Sequence, residues 1–98
     1  MRRAQALQII AANKEKLKDF SVKSLAIFGS VARDEATESS DVDILVEFEE
    51  DARVGLFRFL DLKYFLEEKL GCTVDLGTPD SLRKELSAQI LKEAVHAA

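Results

Sequence analysis

Residues Leu25–Phe48 read LAIFGSVARDEATESSDVDILVEF, and the fold turns on this stretch. An apolar run, Leu25 to Phe28, stops at Gly29-Ser30, and a strand-like run resumes at Asp41 after a polar segment. Side chains alternate faces along a strand, so Asp41 and Asp43 share one face while Val42, Ile44, Val46 and Phe48 share the other. Such a strand is anchored on its apolar side and acidic on its free side. Neighbouring like charges repel unless a cation sits between them, and hard oxygen donors on a rigid strand suit Mg²⁺. The same pair is compatible with a solvated edge strand that resists aggregation.

Working outward, residues 3–19 are expected to form one helix, with Leu7, Ile10, Ala11 and Leu17 on its buried face and Lys14 as a polar break. Phe20-Ser21 ends it. Ser30 to Glu35 reads as one or two helical turns with Ser30 at the N-cap, and residues 36–40 as a polar loop. Residues 49–51 form an acidic turn. A helix is expected over 54–70, with Gly71 as its C-cap. It carries more apolar surface than one stripe buries: Leu56, Phe59, Leu60 and Leu70 fit the core, while Phe57 and Tyr64 lie a heptad apart on another face. Either a terminal helix packs over that second face, or it docks a protein acceptor or a second copy of the chain. Thr73 to Leu76 reads as a third strand, with Val74 and Leu76 inward and Asp75 outward. Pro79 suits the first turn of a last helix bearing Leu82, Leu86, Ile90, Leu91 and Val95, after which the end from His96 frays. Helices alternating with short strands predict an α/β (α+β) fold: a small mixed sheet with helices on one face and a site on the other.

The 98 residues suit a single domain, residues 1–98, with one modest core. No apolar run reaches the length of a membrane span, and the N-terminus reads as a helix rather than a signal peptide. One cysteine, Cys72, allows no internal disulfide, is compatible with the cytoplasm, and reads as a small core residue. One Cys and one His cannot build a protein-only zinc site. The net charge of −4 argues against general binding to nucleic acid. No G-x-x-x-x-G-K-S/T occurs, which excludes a P-loop.

Gly29-Ser30 between a strand and a helix start could receive a phosphate, with Ser30 and Arg33 as donors, or could be a plain strand-ending turn. If the second and third strands are neighbours, Asp41, Asp43 and Asp75 converge on one open face, and the first strand delivers Gly29-Ser30 to it. Glu35 and Glu47 read as surface charges.

Gly29-Ser30, ten intervening residues and Asp41-Val42-Asp43 resemble the signature of the DNA polymerase β-like nucleotidyltransferase superfamily. GSVARDE followed by SSDVDILVEF is similar to its minimal nucleotidyltransferases (MNT), which are found beside HEPN-domain proteins. The likeness runs on into VDLGTPDSL and spans nearly the whole chain. The family commonly has glycine where Asp34 stands, so here a negative charge is expected near the phosphate turn. The resemblance implies that Asp41 and Asp43 bind two Mg²⁺ ions, and that Asp75 helps bind the catalytic metal and activates the attacking hydroxyl. Gly29 and Ser30 would hold the outer phosphates of an NTP, with Arg33 assisting. It implies transfer of a nucleoside monophosphate, AMP from ATP, to a hydroxyl on a HEPN-type toxin, with this chain as antitoxin. The rivals are a non-catalytic antitoxin that acts by binding alone, and nucleotidyl transfer to a small molecule such as an aminoglycoside. Homo-oligomerisation stays open.

Overall fold

Strand β1 (Val22–Phe28) and strand β2 (Val42–Phe48) pair antiparallel, Ile27 opposite Ile44 and Phe28 opposite Asp43. In the computed structural model, which describes residues 1–37, 40–79 and 92–98, they form the centre of a four-stranded mixed sheet. Strand β3 (Val74–Gly77) lies parallel to β2, and β4 (Val95–His96) antiparallel to β1, giving the order β3-β2-β1-β4. The second and third strands are therefore neighbours, as convergence of the acids requires. β1 starts three residues before the expected Leu25, and its register shifts between Val22 and Ser24.

The expected N-terminal helix is two helices, α1 (Arg3–Ala12) and α2 (Lys14–Asp19). Asn13 breaks it: its side-chain amide donates to the Ile9 carbonyl at 2.8 Å, and it leaves helical geometry at φ −108°, ψ 16°. A short amide side chain competing for backbone partners is the physical cause. The break resets the helical phase. Ala6, Ile10 and Leu17 are buried, Leu7 only partly, and Ala11 faces solvent, which corrects the expected stripe.

Helix α3 (Gly29–Ala32) is a single turn after β1, and α4 (Leu56–Leu70) crosses from β2 to β3. α4 ends at Gly71, whose φ of +73° is the left-handed cap expected there. It turns Leu62, Leu66 and Leu70 into one core with Ala6, Ile10 and Leu17 of the N-terminal helices. Val42, Ile44, Val46, Val74 and Leu76 meet them from the sheet, so the helices share the face opposite Asp43 and Asp75. Leu56, expected in the core, is instead exposed, because it lies a turn outside the Leu62–Leu66–Leu70 ridge. Cys72 packs against the core's edge, and burial pushes its thiol up, as befits an unreactive small hydrophobe.

The chain end departs from expectation. Val95 is a strand residue, not the last position of a helical stripe, and His96 does not fray. Leu25 explains why: its carbonyl accepts from Ala97 N at 2.8 Å and its N–H donates to Ala98 O at 3.0 Å. An unpaired edge of β1 offers the tail more hydrogen bonds than solvent-exposed helix would. The proposed stripe Leu82–Leu91 lies outside the described residues. No described helix is long and apolar enough to cross a membrane.

Candidate active site

The turn from β1 into α3 is shaped by Gly29. Its φ is +71°, and a Cβ built on it would fall on Oδ2 of Asp43 across the strand pair. Only glycine meets both demands, a left-handed backbone and a carboxylate resting on Cα. The turn thus places Asp43 directly over the end of β1. Ser30 lies inside the short turn Gly29–Ala32 rather than at its N-cap, which falls on Phe28 and makes no side-chain bond. The Ser30 carbonyl accepts from Glu35 N at 2.8 Å and closes the turn.

The acids assemble from the two parallel strands. Asp43 pairs in register with Asp75, with Val42 opposite Val74 and Ile44 opposite Leu76 burying the alternate positions. Asp41 sits exposed just before β2, and Asp75 is exposed on β3. Asp43 is half-buried, and its carboxyl is held above the ordinary carboxylate range, first by burial, then by the charges of Asp75 and Asp41. Arg33 opposes that shift. Among the described residues no three side chains close into a ready-made metal cluster. The donor chemistry nonetheless fits a hard divalent cation: the side chains brought together here, Asp41, Asp43 and Asp75, offer oxygen ligands only.

Arg33 is already engaged. Its Nε donates to Glu35 at 3.1 Å and its Nη1 to Glu93 at 3.1 Å, so two carboxylates hold its charge up and fix its plane. Glu35 is therefore a partner of Arg33 rather than a bare surface charge. Nothing in the sequence pairs position 33 with position 93; only the antiparallel return of β4 brings them together.

Asp34 adopts φ +59°, the left-handed region where aspartate is better tolerated than most residues. This accounts for an aspartate standing where the similar family has glycine. Its carboxylate accepts from the backbone N–H of Arg3 at 3.0 Å, while the Arg3 side chain donates to the Ala32 carbonyl at 3.1 Å. The charge expected near the phosphate turn instead caps the start of α1. Leu45 is a further correction to a plain acidic face: it shares the side of Asp43 yet is buried, flanked in register by Ala26 and Gly77.

Residues 8–96 match the nucleotidyltransferase domain family. The chain belongs to that family, and it is a nucleotidyltransferase. The protein adenylyltransferase MntA of Thermococcus cleftensis is 43% identical over 90% of this chain and 88% of its own. A solved structure assigned to the minimal nucleotidyltransferases superposes with a TM-score of 0.81 at 36% identity, covering 97% of this chain and 95% of that one. The fold alone extends to a Shewanella oneidensis complex of a tri-AMPylated HEPN toxin with an MNT antitoxin, at TM-score 0.58 and 19% identity, covering 91% of this chain and 71% of that one.

Proposed function

We propose that residues 1–98 form one minimal nucleotidyltransferase domain that transfers AMP from ATP to a hydroxyl of a HEPN-type protein partner, and thereby acts as its antitoxin. The reading is supported by the 43% identical protein adenylyltransferase and by the AMPylated toxin in the complex of like fold. The observation that carries it is the position of Asp43, resting on Gly29 and paired with Asp75. One carboxylate joins the turn that would hold phosphates to the strand that would hold the acceptor.

In this reading Asp41 and Asp43 would hold two Mg²⁺ ions, with Asp75 sharing one of them. When bound, Mg²⁺ supplies positive charge to the phosphate oxygens. The backbone N–H groups of the Gly29-Ser30 turn would hold the β- and γ-phosphates, and Ser30 would donate its hydroxyl to them. Arg33, held by Glu35 and Glu93, keeps its remaining N–H groups pointed in one plane for the same phosphates. Asp75 orients the acceptor hydroxyl and takes its proton. The acceptor oxygen bonds to the α-phosphorus, the α–β phosphoanhydride bond breaks, and pyrophosphate leaves.

The test is incubation of the chain with labelled ATP, Mg²⁺ and the protein encoded beside it, followed by mass spectrometry of both. A gain of AMP on the partner is expected, abolished by Asp43→Asn. Neutralisation of the partner with no added mass would replace the reading with inhibition by contact alone. Transfer to an aminoglycoside in place of the partner would replace it with the small-molecule reading.

A further inference from the structure

The two carboxylates that hold Arg33 differ in what they are attached to. Glu35 accepts from Nε at 3.1 Å and lies two residues away on the same turn, so its bond moves with the turn. Glu93 accepts from Nη1 at 3.1 Å and comes from the segment that carries β4. That segment is anchored elsewhere. Val95 and His96 pair antiparallel with Ile27 and Ala26, and Leu25 bonds to Ala97 and Ala98. β1 runs toward the Gly29 turn, so an antiparallel β4 runs away from it. The residues just before Val95 therefore lie beside α3, which brings Glu93 to Arg33.

The backbone of the turn is fixed by other bonds. The Arg33 N–H donates to the Gly29 carbonyl at 3.1 Å, and the Glu35 N–H to the Ser30 carbonyl at 2.8 Å. Arg3 of α1 grips the far side, with its side chain on the Ala32 carbonyl and its backbone N–H on the Asp34 carboxylate. What Glu93 decides is the guanidinium. One hydrogen bond, to Glu35, leaves the guanidinium plane free to turn about it. A second, to a carboxylate on another element, removes that freedom. The Arg33 and Glu93 side chains are 43% and 31% exposed, a setting in which an ion pair adds little to stability. Its effect is then on orientation. The held guanidinium keeps N–H donors to spare on Nη1 and Nη2, and its charge still reaches Asp43.

We propose that Glu93 is a positioning residue: it sets Arg33 for the outer phosphates of the NTP, and so makes triphosphate binding depend on the segment that carries β4. The proposal rests on the transferase reading for the role of Arg33 at the phosphates. A guanidinium held in advance avoids the cost of ordering a long side chain on binding, worth about 2–10-fold in affinity. A carboxylate that merely neutralised Arg33 would act with the opposite sign. It would compete with phosphate, and its removal would tighten triphosphate binding.

The test measures binding of ATP and of AMP, each with Mg²⁺, by calorimetry. It compares the full chain with Glu93→Ala, Glu93→Gln, Arg33→Ala and Arg33→Ala/Glu93→Ala, with melting temperature alongside. Glu93→Ala should weaken ATP binding by about 2–10-fold and leave AMP binding unchanged, because Arg33 serves only the outer phosphates. Glu93→Gln, which keeps an acceptor for Nη1, should lose less. Melting should be nearly unchanged in both, as befits a partly exposed pair. With Arg33 already replaced, Glu93→Ala should have no further effect, since it acts through that side chain. Wild-type or tighter ATP binding by Glu93→Ala would overturn the proposal, as would an equal loss for AMP or the same loss in the absence of Arg33. Unfolding of Glu93→Ala together with Glu93→Gln would overturn it too, since it would make the bond a structural support. Weak ATP binding by Arg33→Ala beside normal binding by Glu93→Ala would remove the positioning role alone. Normal ATP binding by Arg33→Ala would instead remove Arg33 from the phosphates, and the role of Glu93 with it.

Discussion

Replacing Gly29 by alanine separates the two demands that meet at the end of β1. The backbone there has φ +71°, which for a residue with a Cβ costs about 1–2 kcal/mol. The lost freedom of the unfolded chain returns about 0.4–1 kcal/mol, so the net destabilisation is about 1 kcal/mol. For a domain of this size that lowers Tm by about 4–8 °C. The second demand is spatial. The new Cβ would fall on the Asp43 carboxylate, which must withdraw by about 1 Å to reach ordinary contact near 3.5 Å. The obstacle is the tip of a side chain rather than backbone, so moving it costs little stability. It displaces the residue around which the other acids are arranged, and a misplacement of about 1 Å costs on the order of 10²-fold in rate. Gly29→Ala should therefore melt a few degrees low yet lose most AMP transfer. The assay pairs thermal unfolding with initial rates of label transfer from ATP. Gly29→Ala/Asp43→Ala should melt no lower than Asp43→Ala by more than the backbone cost alone. A Gly29→Ala variant within a few-fold of wild-type activity would refute the close approach of Asp43 as a functional constraint.

Asp41→Asn and Asp43→Asn should each abolish transfer with the fold intact, and wild-type turnover of either at saturating Mg²⁺ would remove the acids from the site. The Asp43 carboxyl titrates above the ordinary carboxylate range in the folded chain, so the folded state holds its proton more tightly than the unfolded one. Stability linked to Asp43 therefore falls as pH rises through that raised range, and the penalty is full at neutral pH. Without added metal, Asp43→Asn should melt higher than wild type at pH 7, and the difference should vanish below the ordinary carboxylate range; a variant that melts lower at pH 7 would contradict this. Ser30→Ala should weaken binding of the triphosphate by about 1.5–3 kcal/mol while sparing the monophosphate, measured by calorimetry with ATP and AMP. Equal losses for both would make Ser30 a purely structural part of the turn.

Much of the architecture follows from short-range pattern. The alternation Val42, Ile44, Val46 against Asp41 and Asp43, and Val74, Leu76 against Asp75, fixes which side of each strand is wet. Gly71 ends α4 where a left-handed residue is needed, and the excess apolar surface of that helix announced a second face. These features depend on residues a few positions apart, and local physics is enough to read them. Other features depend on partners far along the chain. Asn13 taking the Ile9 carbonyl shifted a helical phase that the stripe of Leu7 and Ala11 seemed to settle. Asp34 turned toward Arg3, Arg33 toward Glu93, and the tail from Val95 toward β1, because each was the nearest group able to satisfy a charge or a backbone hydrogen bond once the sheet had formed. The sequence by itself determined which carboxylates share a strand face and that glycine and serine follow β1, since that depends on residue type and strand parity. The tertiary structure decided that Asp43 lies over Gly29 and beside Asp75, since only pairing β2 with β1 on one side and β3 on the other brings three separate segments to one carboxylate.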